Sequence, residues 1–165
     1  MQEVSVIIPN FNGMAYLDGV LAGLECQSVN NFEVILVDNG SSDGSCAFVA
    51  ARYPWVHLIE LPENFGFCKA VNEGIKASRA PYVLLLNNDI EVTENFIEEM
   101  IFAIKRHPKA FSCAARMIQF HDRDKLDDAG NYYCALGWAY ARGKGKDIHI
   151  YEKEEKIFAS CAGAA

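Results

Sequence analysis

The chain has 165 residues and a net charge of −7, and 51% of its residues are apolar and 22% charged. This composition is typical of a soluble globular protein with one domain. The negative charge argues against nucleic acid as a partner, because binding its phosphates requires a basic surface. No apolar run approaches the roughly 18 residues needed to cross a bilayer. The N-terminus has no basic region, so we expect no signal peptide.

The cysteines are scattered along the chain and form no C-x-x-C pair, which argues against a structural zinc site. We interpret them as reduced thiols of a cytosolic protein. They are Cys26, Cys46, Cys68, Cys113, Cys134 and Cys161.

Strand and helix patterns alternate along the first two thirds of the chain. Apolar runs rich in β-branched residues predict strands at 4–9, 32–38, 56–61, 82–87 and 110–118. Apolar residues at helical spacing predict helices over 14–27, around 67–75 and from 93 to 107. A further helix is predicted to follow the "NGSSDGS" loop and to end at about residue 53. This order predicts an α/β fold, a Rossmann-like, mostly parallel sheet with helices on both faces.

Polar residues stand where three of the predicted strands end. In a parallel sheet the ligand lies beyond the carboxyl ends of the strands, so these side chains are expected to converge on one edge. They are Asn10, Asn12, Asp38, Asn39, Asn87, Asn88 and Asp89.

The stretch "LLLNNDIEV" ends a buried strand on three adjacent polar groups. Asp89 is a hard oxygen ligand suited to Mg²⁺ or Mn²⁺, and Mg²⁺ needs only one or two protein carboxylates when substrate phosphates complete its shell. The alternative is that Asn88 and Asp89 cap a turn.

The stretch "VDNGSSDGS" places a carboxylate at the end of the second strand. Asp38 is able to accept a hydrogen bond from a ring N–H such as the imide of uracil or thymine, and it pairs poorly with the N1 acceptor of adenine. The alternative is a helix cap, a role that also suits Asp43.

Two further stretches offer groups for a nucleotide. Phe11 in "IIPNFNG" is placed to stack on a base, or it is an ordinary packing residue. In "NFGFCKAVNEG" the glycines allow close backbone approach, and the helix N-terminus is able to face phosphate. Lys69 there adds charge, or it is an exposed helical lysine.

The chain after residue 118 is polar, glycine-bearing and irregular, and we interpret it as a loop-rich flap. Asp127 and Asp128 in "LDDAG" are candidates to bind an acceptor hydroxyl, with solvated loop carboxylates as the alternative. The chain closes on "IFASCAGAA", a run of apolar and small residues, from which we expect it to be a piece of a longer protein.

The four stretches "IIPNFNG", "VDNGSSDGS", "NFGFCKAVNEG" and "LLLNNDIEV", in this order and spacing, resemble the inverting glycosyltransferases of family 2, which have the GT-A fold. The resemblance covers residues 4 to about 118 and is nearest to rhamnosyltransferase-like enzymes of polysaccharide synthesis. It implies a nucleotide-sugar-binding core at 1–118 and the start of an acceptor-side region of the same domain at 119–165. The implied donor is a UDP- or dTDP-sugar, and the implied acceptor is a cell-surface polysaccharide or a glycolipid.

The resemblance also assigns site residues. It implies that Asp38 holds the pyrimidine, that Asp89 binds Mg²⁺ or Mn²⁺, and that Asn87 or Asn88 faces the ribose or the phosphate. Two positions depart from the family pattern: Asn87 replaces the first aspartate of the D-x-D motif, and Val71 stands where an arginine is usual. The implied nucleotide-binding set is Pro9, Asn10, Phe11, Asn12, Asp38, Asn64, Gly66, Lys69, Asn87 and Asn88.

The catalytic base of an inverting enzyme is a carboxylate that takes the acceptor proton. In the family it lies in an E-D pair soon after a G-A-A/G-G strand, whereas this chain ends at "CAGAA". We therefore expect the chain to be mainly the donor-binding part and to be inactive alone, with Asp127 and Asp128 as weak candidates for the base. The family further implies a cytoplasmic location, with peripheral association of the full-length parent at the inner face of the membrane.

Two other functions fit the sequence less well. A nucleotidyltransferase shares the sheet type and the strand-end aspartate, but its glycine- and basic-rich loop after the first strand has no counterpart in "PNFNGMAYL". A non-catalytic nucleotide-binding module is the other alternative, because a base is missing from the expected position.

Overall fold

The structure, a computed structural model, describes residues 2–157. The chain divides into two compact units, Met1–Ile101 and Phe102–Ala165. Within the first unit, strands and helices alternate as the sequence predicts.

A four-stranded parallel sheet forms the centre of the first unit. Its strands are β1 (Val4–Asn10), β2 (Phe32–Asp38), β3 (His57–Glu60) and β4 (Tyr82–Leu85), and their order in the sheet is β3-β2-β1-β4. Nearly all successive side chains of β1 are buried, so both faces of the sheet are covered there. The predicted α/β class with a mostly parallel sheet is confirmed.

Three helices connect the strands of this sheet, and their bounds are α1 (Met14–Glu25), α2 (Ser45–Arg52) and α3 (Phe67–Ala77). A fourth helix, α4 (Phe96–Arg106), follows β4. The helix predicted from Thr93 begins three residues later, after a turn in which the Phe96 N–H donates to the Thr93 carbonyl at 3.1 Å. Of the apolar face predicted for the first helix, Leu17, Val20, Leu21 and Leu24 are buried, whereas Met14 is exposed.

The register of the sheet brings the polar strand ends level with one another. Asn10 at the end of β1 is the register partner of Asp38 at the end of β2. The ladder between β1 and β4 continues one step further, because the Leu86 N–H donates to the Ile7 carbonyl at 3.0 Å. The residues that follow Leu86 therefore leave the sheet beside the end of β1.

Helix α3 packs closely on the sheet through Gly74. A Cβ at this position would lie 2.4 Å from Ile7 Cγ2 and 3.2 Å from Val37 Cγ2. Both contacts are with stiff β-branched side chains in the core, so neither neighbour is able to move away easily.

Gly74→Ala is therefore expected to lower the free energy of unfolding by about 1–3 kcal/mol, the usual penalty for overpacking. Gly19→Ala is the matched control, because the Cβ added at this exposed position of α1 meets nothing within 4 Å. The control is expected to stabilise the protein by about 0.5–1 kcal/mol, since glycine is a poor helix former. Urea denaturation of both variants measures the difference, and equal stabilities would contradict the close packing of α3.

The prediction of a fifth strand over 110–118, in the second unit, is wrong for most of that range. Only β5 (Met117–Ile118) is a strand, and it pairs antiparallel with β6 (Leu126–Asp128) in a separate two-stranded sheet. Most side chains of the preceding segment, 110–116, are small and offer little apolar area to a sheet, and the Phe111 ring is fully exposed.

The irregular segment after residue 118 contains a hairpin that the sequence did not predict. Strands β7 (Asn131–Tyr133) and β8 (Ala139–Ala141) pair antiparallel, with the rings of Tyr132 and Tyr140 5.3 Å apart across the pair. These strands have only three residues each, too few for an alternating pattern to stand out in the sequence. Among residues 2–157, none of the helices has the length and hydropathy required to span a bilayer.

Candidate functional site

A buried hydrogen-bond network joins the ends of β1 and β2. The Asn10 amide donates to Asp38 Oδ1 at 2.8 Å and to Ser41 Oγ at 3.3 Å. Asp38 also accepts hydrogen bonds from the Ser41 hydroxyl at 2.6 Å and the Ser41 backbone N–H at 2.8 Å. Asn10 and Asp38 are each only 1% exposed. The network holds the loop after β2 against the end of β1.

The Asp38 carboxylate is stabilised in its ionised form. Its burial alone would raise its pKa, but the hydrogen bonds from Ser41 and Asn10 more than compensate, and the pKa lies below its usual value. The neighbouring Cys46 responds in the opposite sense: burial, with further contributions from Asp38 and Glu60, raises the pKa of its thiol to about 12. Asp38 is therefore an anion and Cys46 a neutral thiol at physiological pH.

Asn12 extends this network to the loop after β2. Its backbone N–H donates to Ser41 Oγ at 2.8 Å, and its side-chain oxygen accepts from the Ser42 backbone N–H at 2.9 Å. Asn12 has a φ of 50°, a left-handed conformation that asparagine tolerates better than most residues. The adjacent Phe11 is 48% exposed, and Pro9 is half-buried. The Phe11 ring thus has a face open to solvent rather than buried in the core.

The end of β4 joins the same network through Asn88. The Asn88 amide donates to Asn10 Oδ1 at 2.8 Å, which links the "NND" triplet to Asp38. Asn87 is half-buried and Asp89 is exposed. The predicted convergence of the polar strand ends on one edge is confirmed.

Asp89 has a different environment from Asp38. Within residues 2–157 its carboxylate forms no hydrogen bond or ion pair, so the structure gives no support to a turn-capping role. No cluster of three or more histidine, cysteine, aspartate or glutamate side chains suited to a metal ion occurs in that part of the chain. An open single carboxylate beside amide oxygens fits a cation that takes the rest of its ligands from substrate phosphates and water.

A second network positions the loop before α3. The Asn39 amide donates to Asn64 Oδ1 at 2.8 Å, and Asn39 Oδ1 accepts from the Phe65 N–H at 2.9 Å. Asn64 Oδ1 also accepts from the Gly66 N–H at 2.9 Å. Gly40 has a φ of 78°, and a Cβ there would lie 2.6 Å from the Glu63 backbone. Two of the predicted nucleotide-binding residues, Asn64 and Gly66, are therefore attached to the end of β2.

Lys69 lies on the exposed side of α3 and forms an ion pair with Glu73 at 2.6 Å. Lys76 contacts the same carboxylate at 2.9 Å. The hydrogen bonds from Lys69 and Lys76 lower the pKa of Glu73 to about 2. In this structure the charge of Lys69 is directed to a neighbour on its own helix.

The two candidates for the base occupy different environments in the second unit. Asp127 is half-buried and pairs with Lys144 at 3.1 Å. Asp128 is buried and accepts hydrogen bonds from the Gly130 N–H and from the Asn131 amide. These bonds give Asp128 a structural role in the turn between β6 and β7. The "CAGAA" segment, near which the family places its base, lies outside the described residues.

The sequence analysis missed Ser41 and gave only part of the role of two other residues that hold the site together, Asn39 and Asp43. Asn39 and Ser41 carry the two loop networks, and Asp43 accepts hydrogen bonds from the Met14 N–H at 2.9 Å and the Ser45 N–H at 3.0 Å. Asp43 thereby binds the first backbone N–H groups of both α1 and α2, which extends the cap role predicted for it to a second helix. The signal for Ser41 was present, because a serine following Asp-Asn-Gly is typical of a side-chain-supported turn.

Comparison with known proteins agrees with this architecture. The model of "Glycosyl transferase family 2" matches residues 5–165. The glycosyltransferase GlyG of Streptococcus pneumoniae is 29% identical over 79% of this chain and 39% of its own length. The putative teichuronic acid biosynthesis glycosyltransferase TuaG of Bacillus subtilis is 27% identical over 75% of this chain and 50% of its own length.

A solved structure shows the same relationship. The crystal structure of S. aureus TarS 1–349 in complex with UDP-GlcNAc matches with a TM-score of 0.60 and 26% identity, over 65% of this chain and 32% of that one. This chain spans at most about half the length of these relatives. None of the three matches shows a rhamnosyl specificity. The match across nearly the whole chain confirms the predicted resemblance, and the chain belongs to glycosyl transferase family 2.

Proposed function

We propose that this chain binds a nucleotide-diphosphate sugar, with UDP or dTDP as the nucleotide, at the carboxyl edge formed by β1, β2 and β4. The full protein transfers the sugar to a cell-surface polysaccharide or a glycolipid. The observation that carries the proposal is the network that joins Asn10, Asp38 and Asn88 beside the open carboxylate of Asp89. The complex of TarS with UDP-GlcNAc supports a nucleotide-sugar donor.

The nucleoside occupies the part of the edge near the ends of β1 and β2. The exposed Phe11 ring offers a face to the base, as stacked aromatic groups do. The polar segment from Pro9 to Asn12 lines this pocket. Asp38 accepts a hydrogen bond from the imide N–H of the pyrimidine. One of its present donors, the Asn10 amide or the Ser41 hydroxyl, must then share or give up its place on the carboxylate oxygen.

The diphosphate lies between the "NND" triplet and the loop before α3. Gly66 has a φ of 86° and a Cβ would meet nothing there, so the backbone is open to a close approach by phosphate. The N-terminal N–H groups of α3 favour negative charge at this place. Lys69 adds to this effect when its amine turns from Glu73 to the phosphate. Asn64 holds the loop in position through its bond to Asn39.

Asp89 would hold Mg²⁺ or Mn²⁺, and the asparagines beside it bind the ribose hydroxyls. When bound, the cation neutralises charge on the diphosphate, more of which develops as the sugar leaves. This is needed because the protein itself carries a net charge of −7. Asp89 is suited to the role because its oxygens have no partner within residues 2–157.

The transfer inverts the anomeric carbon. The acceptor hydroxyl oxygen forms a bond to this carbon as the bond to the diphosphate oxygen breaks, and the hydroxyl proton passes to a carboxylate base. Asp127 and Asp128 stay weak candidates for that base, because each is already engaged by a neighbouring group. The family resemblance implies a cytoplasmic location, so we place the protein there, at the inner face of the membrane.

Nucleotide selectivity tests the proposal directly. UDP and dTDP are expected to bind at least about tenfold more tightly than ADP and CDP, a difference of about 1.4 kcal/mol, because the carboxylate of Asp38 requires a ring N–H donor, which uracil and thymine have at N3 and adenine and cytosine lack. Calorimetry with the four nucleotides and Mn²⁺ measures this preference. Equal affinity for all four would remove Asp38 from base reading, and an absence of binding by any of them would contradict the proposed function.

A further inference from the structure

The side-chain amide of Asn10 lies between the Asp38 carboxylate and Asn88 of the "NND" triplet. We infer that Asn10 is a positioning residue that turns the carbonyl oxygen of Asn88 outward, so that Asn88 acts only as an acceptor, toward a ribose hydroxyl of the donor nucleotide. The inference rests on the proposed function, which supplies the nucleotide. It concerns the direction of a hydrogen bond, so it can be tested separately from nucleotide binding itself.

The first step is the orientation of Asn10. An ionised carboxylate accepts hydrogen bonds and donates none, so the Asn10 group that faces Asp38 at 2.8 Å must be the NH₂. The NH₂ also faces Ser41 Oγ at 3.3 Å. Asn10 is only 1% exposed, so its contacts with these partners are shielded from solvent. Its carbonyl oxygen is therefore directed away from Asp38.

The second step carries this orientation to Asn88. The Asn10 oxygen is an acceptor, so the Asn88 group that meets it at 2.8 Å must be the NH₂. A flipped Asn88 would place two carbonyl oxygens against each other beside the charge of Asp38, which is electrostatically unfavourable. The negative charge of Asp38 thus sets the orientation of the Asn10 amide and, through it, that of the Asn88 amide.

The third step concerns the remaining end of Asn88. Its oxygen has no hydrogen-bond partner within residues 2–157, and it is not among the buried polar atoms left unpaired there. It is therefore accessible to solvent. An amide oxygen in this state accepts a hydrogen bond from a ligand hydroxyl.

Gly13 leaves the space in which the two amides meet. A Cβ at this position would lie 2.1 Å from Asn88 Nδ2 and 2.3 Å from Asn10 Oδ1. The φ of Gly13 is −101°, which alanine adopts without strain. Gly13→Ala therefore separates the two amides while leaving both side chains in the protein.

The test compares UDP with its 2′-deoxy-2′-fluoro and 3′-deoxy-3′-fluoro analogues by calorimetry. A hydroxyl donates and accepts, whereas fluorine does not donate. One of the analogues is expected to bind about three- to tenfold more weakly than UDP, the effect of one lost hydrogen bond. Asn88→Leu is expected to lower the affinity for UDP to that of this analogue and to leave the affinity for the analogue nearly unchanged.

Asn10→Leu and Gly13→Ala are expected to reduce the ratio of UDP to analogue affinity toward one, because the freed Asn88 amide is able to turn either end to the ligand. Gly19→Ala, which adds the same methyl group where it meets nothing, is expected to preserve the ratio. Circular dichroism confirms that each variant is folded, and Gly13→Ala serves alone if Asn10→Leu does not fold.

Three results separate the outcomes. Tight binding of both analogues to the unaltered chain would overturn the acceptor role of Asn88 while leaving nucleotide binding intact. A ratio that persists in Gly13→Ala would overturn the positioning role of Asn10. Failure of UDP to bind the unaltered chain would contradict the proposed function, and the inference with it.

Discussion

Asp89→Asn is expected to abolish the strengthening of nucleotide-diphosphate binding by Mn²⁺ or Mg²⁺. In the unaltered chain either cation is expected to increase UDP affinity at least about tenfold, or about 1.4 kcal/mol, because an acidic protein and a diphosphate repel each other without one. The substitution keeps the size and one oxygen of the side chain but removes its charge. Asp89 is the single full carboxylate of the triplet, so no neighbour in it replaces that charge.

The control for this experiment is Glu94→Gln, which removes the same charge from an exposed position five residues further along the chain. It is expected to retain the full effect of the cation. Uridine provides a ligand control, because it has no phosphate to share the ion and its binding is expected to be unaffected by EDTA. If EDTA leaves UDP affinity unchanged, or if Asp89→Asn keeps the cation effect, then Asp89 is not the metal ligand.

Asp38→Asn is expected to lower the free energy of unfolding by about 2–4 kcal/mol, because it replaces a buried acceptor of several hydrogen bonds with a group that also donates. Its new NH₂ would face either the Asn10 amide or the Ser41 N–H, both of which donate to the carboxylate at 2.8 Å. Urea denaturation measures the loss. A change below about 0.5 kcal/mol, typical of a surface substitution, would show that the network contributes little to stability.

The pH dependence of this difference follows from the lowered pKa of Asp38. The unfolded chain releases this proton near the ordinary value of about 3.9, so the stabilisation is fully present above that pH. It is lost as pH falls through the lower pKa of the folded state. The gap in stability between the unaltered chain and the Asp38→Asn variant is therefore expected to narrow below about pH 4 and to be constant at neutral pH.

The sequence predicted the sheet of the first unit well, because its signals are local and strong. The run "FEVILVD" has the β-branched composition and length of a buried parallel strand, and β2 has the same bounds. The polar residues at strand ends were found for a similar reason, since parallel topology alone places them at one edge. The strand predicted at 110–118 formed only at Met117–Ile118, because the segment 110–116 has a single large apolar residue, Phe111, among small ones and does not make a sheet face.

The roles of individual site residues were harder to predict, because they depend on partners distant in sequence. The sequence suggests Asp38 as a ligand-facing acceptor but does not show that it is buried and also accepts from Asn10, 28 positions away. The link between Asn88 and Asn10 spans 78 positions. No pattern within a short window encodes such pairs, and only the register of the sheet reveals them.

The state of Cys46 has a consequence for chemical labelling. Alkylating reagents such as maleimides react with the thiolate, and a thiol whose pKa is about 12 supplies almost none at neutral pH. Cys26 at the end of α1 and Cys68 at the start of α3 are exposed instead. At neutral pH such reagents are thus directed to Cys26 and Cys68 in preference to Cys46, which leaves the end of β2 unmodified.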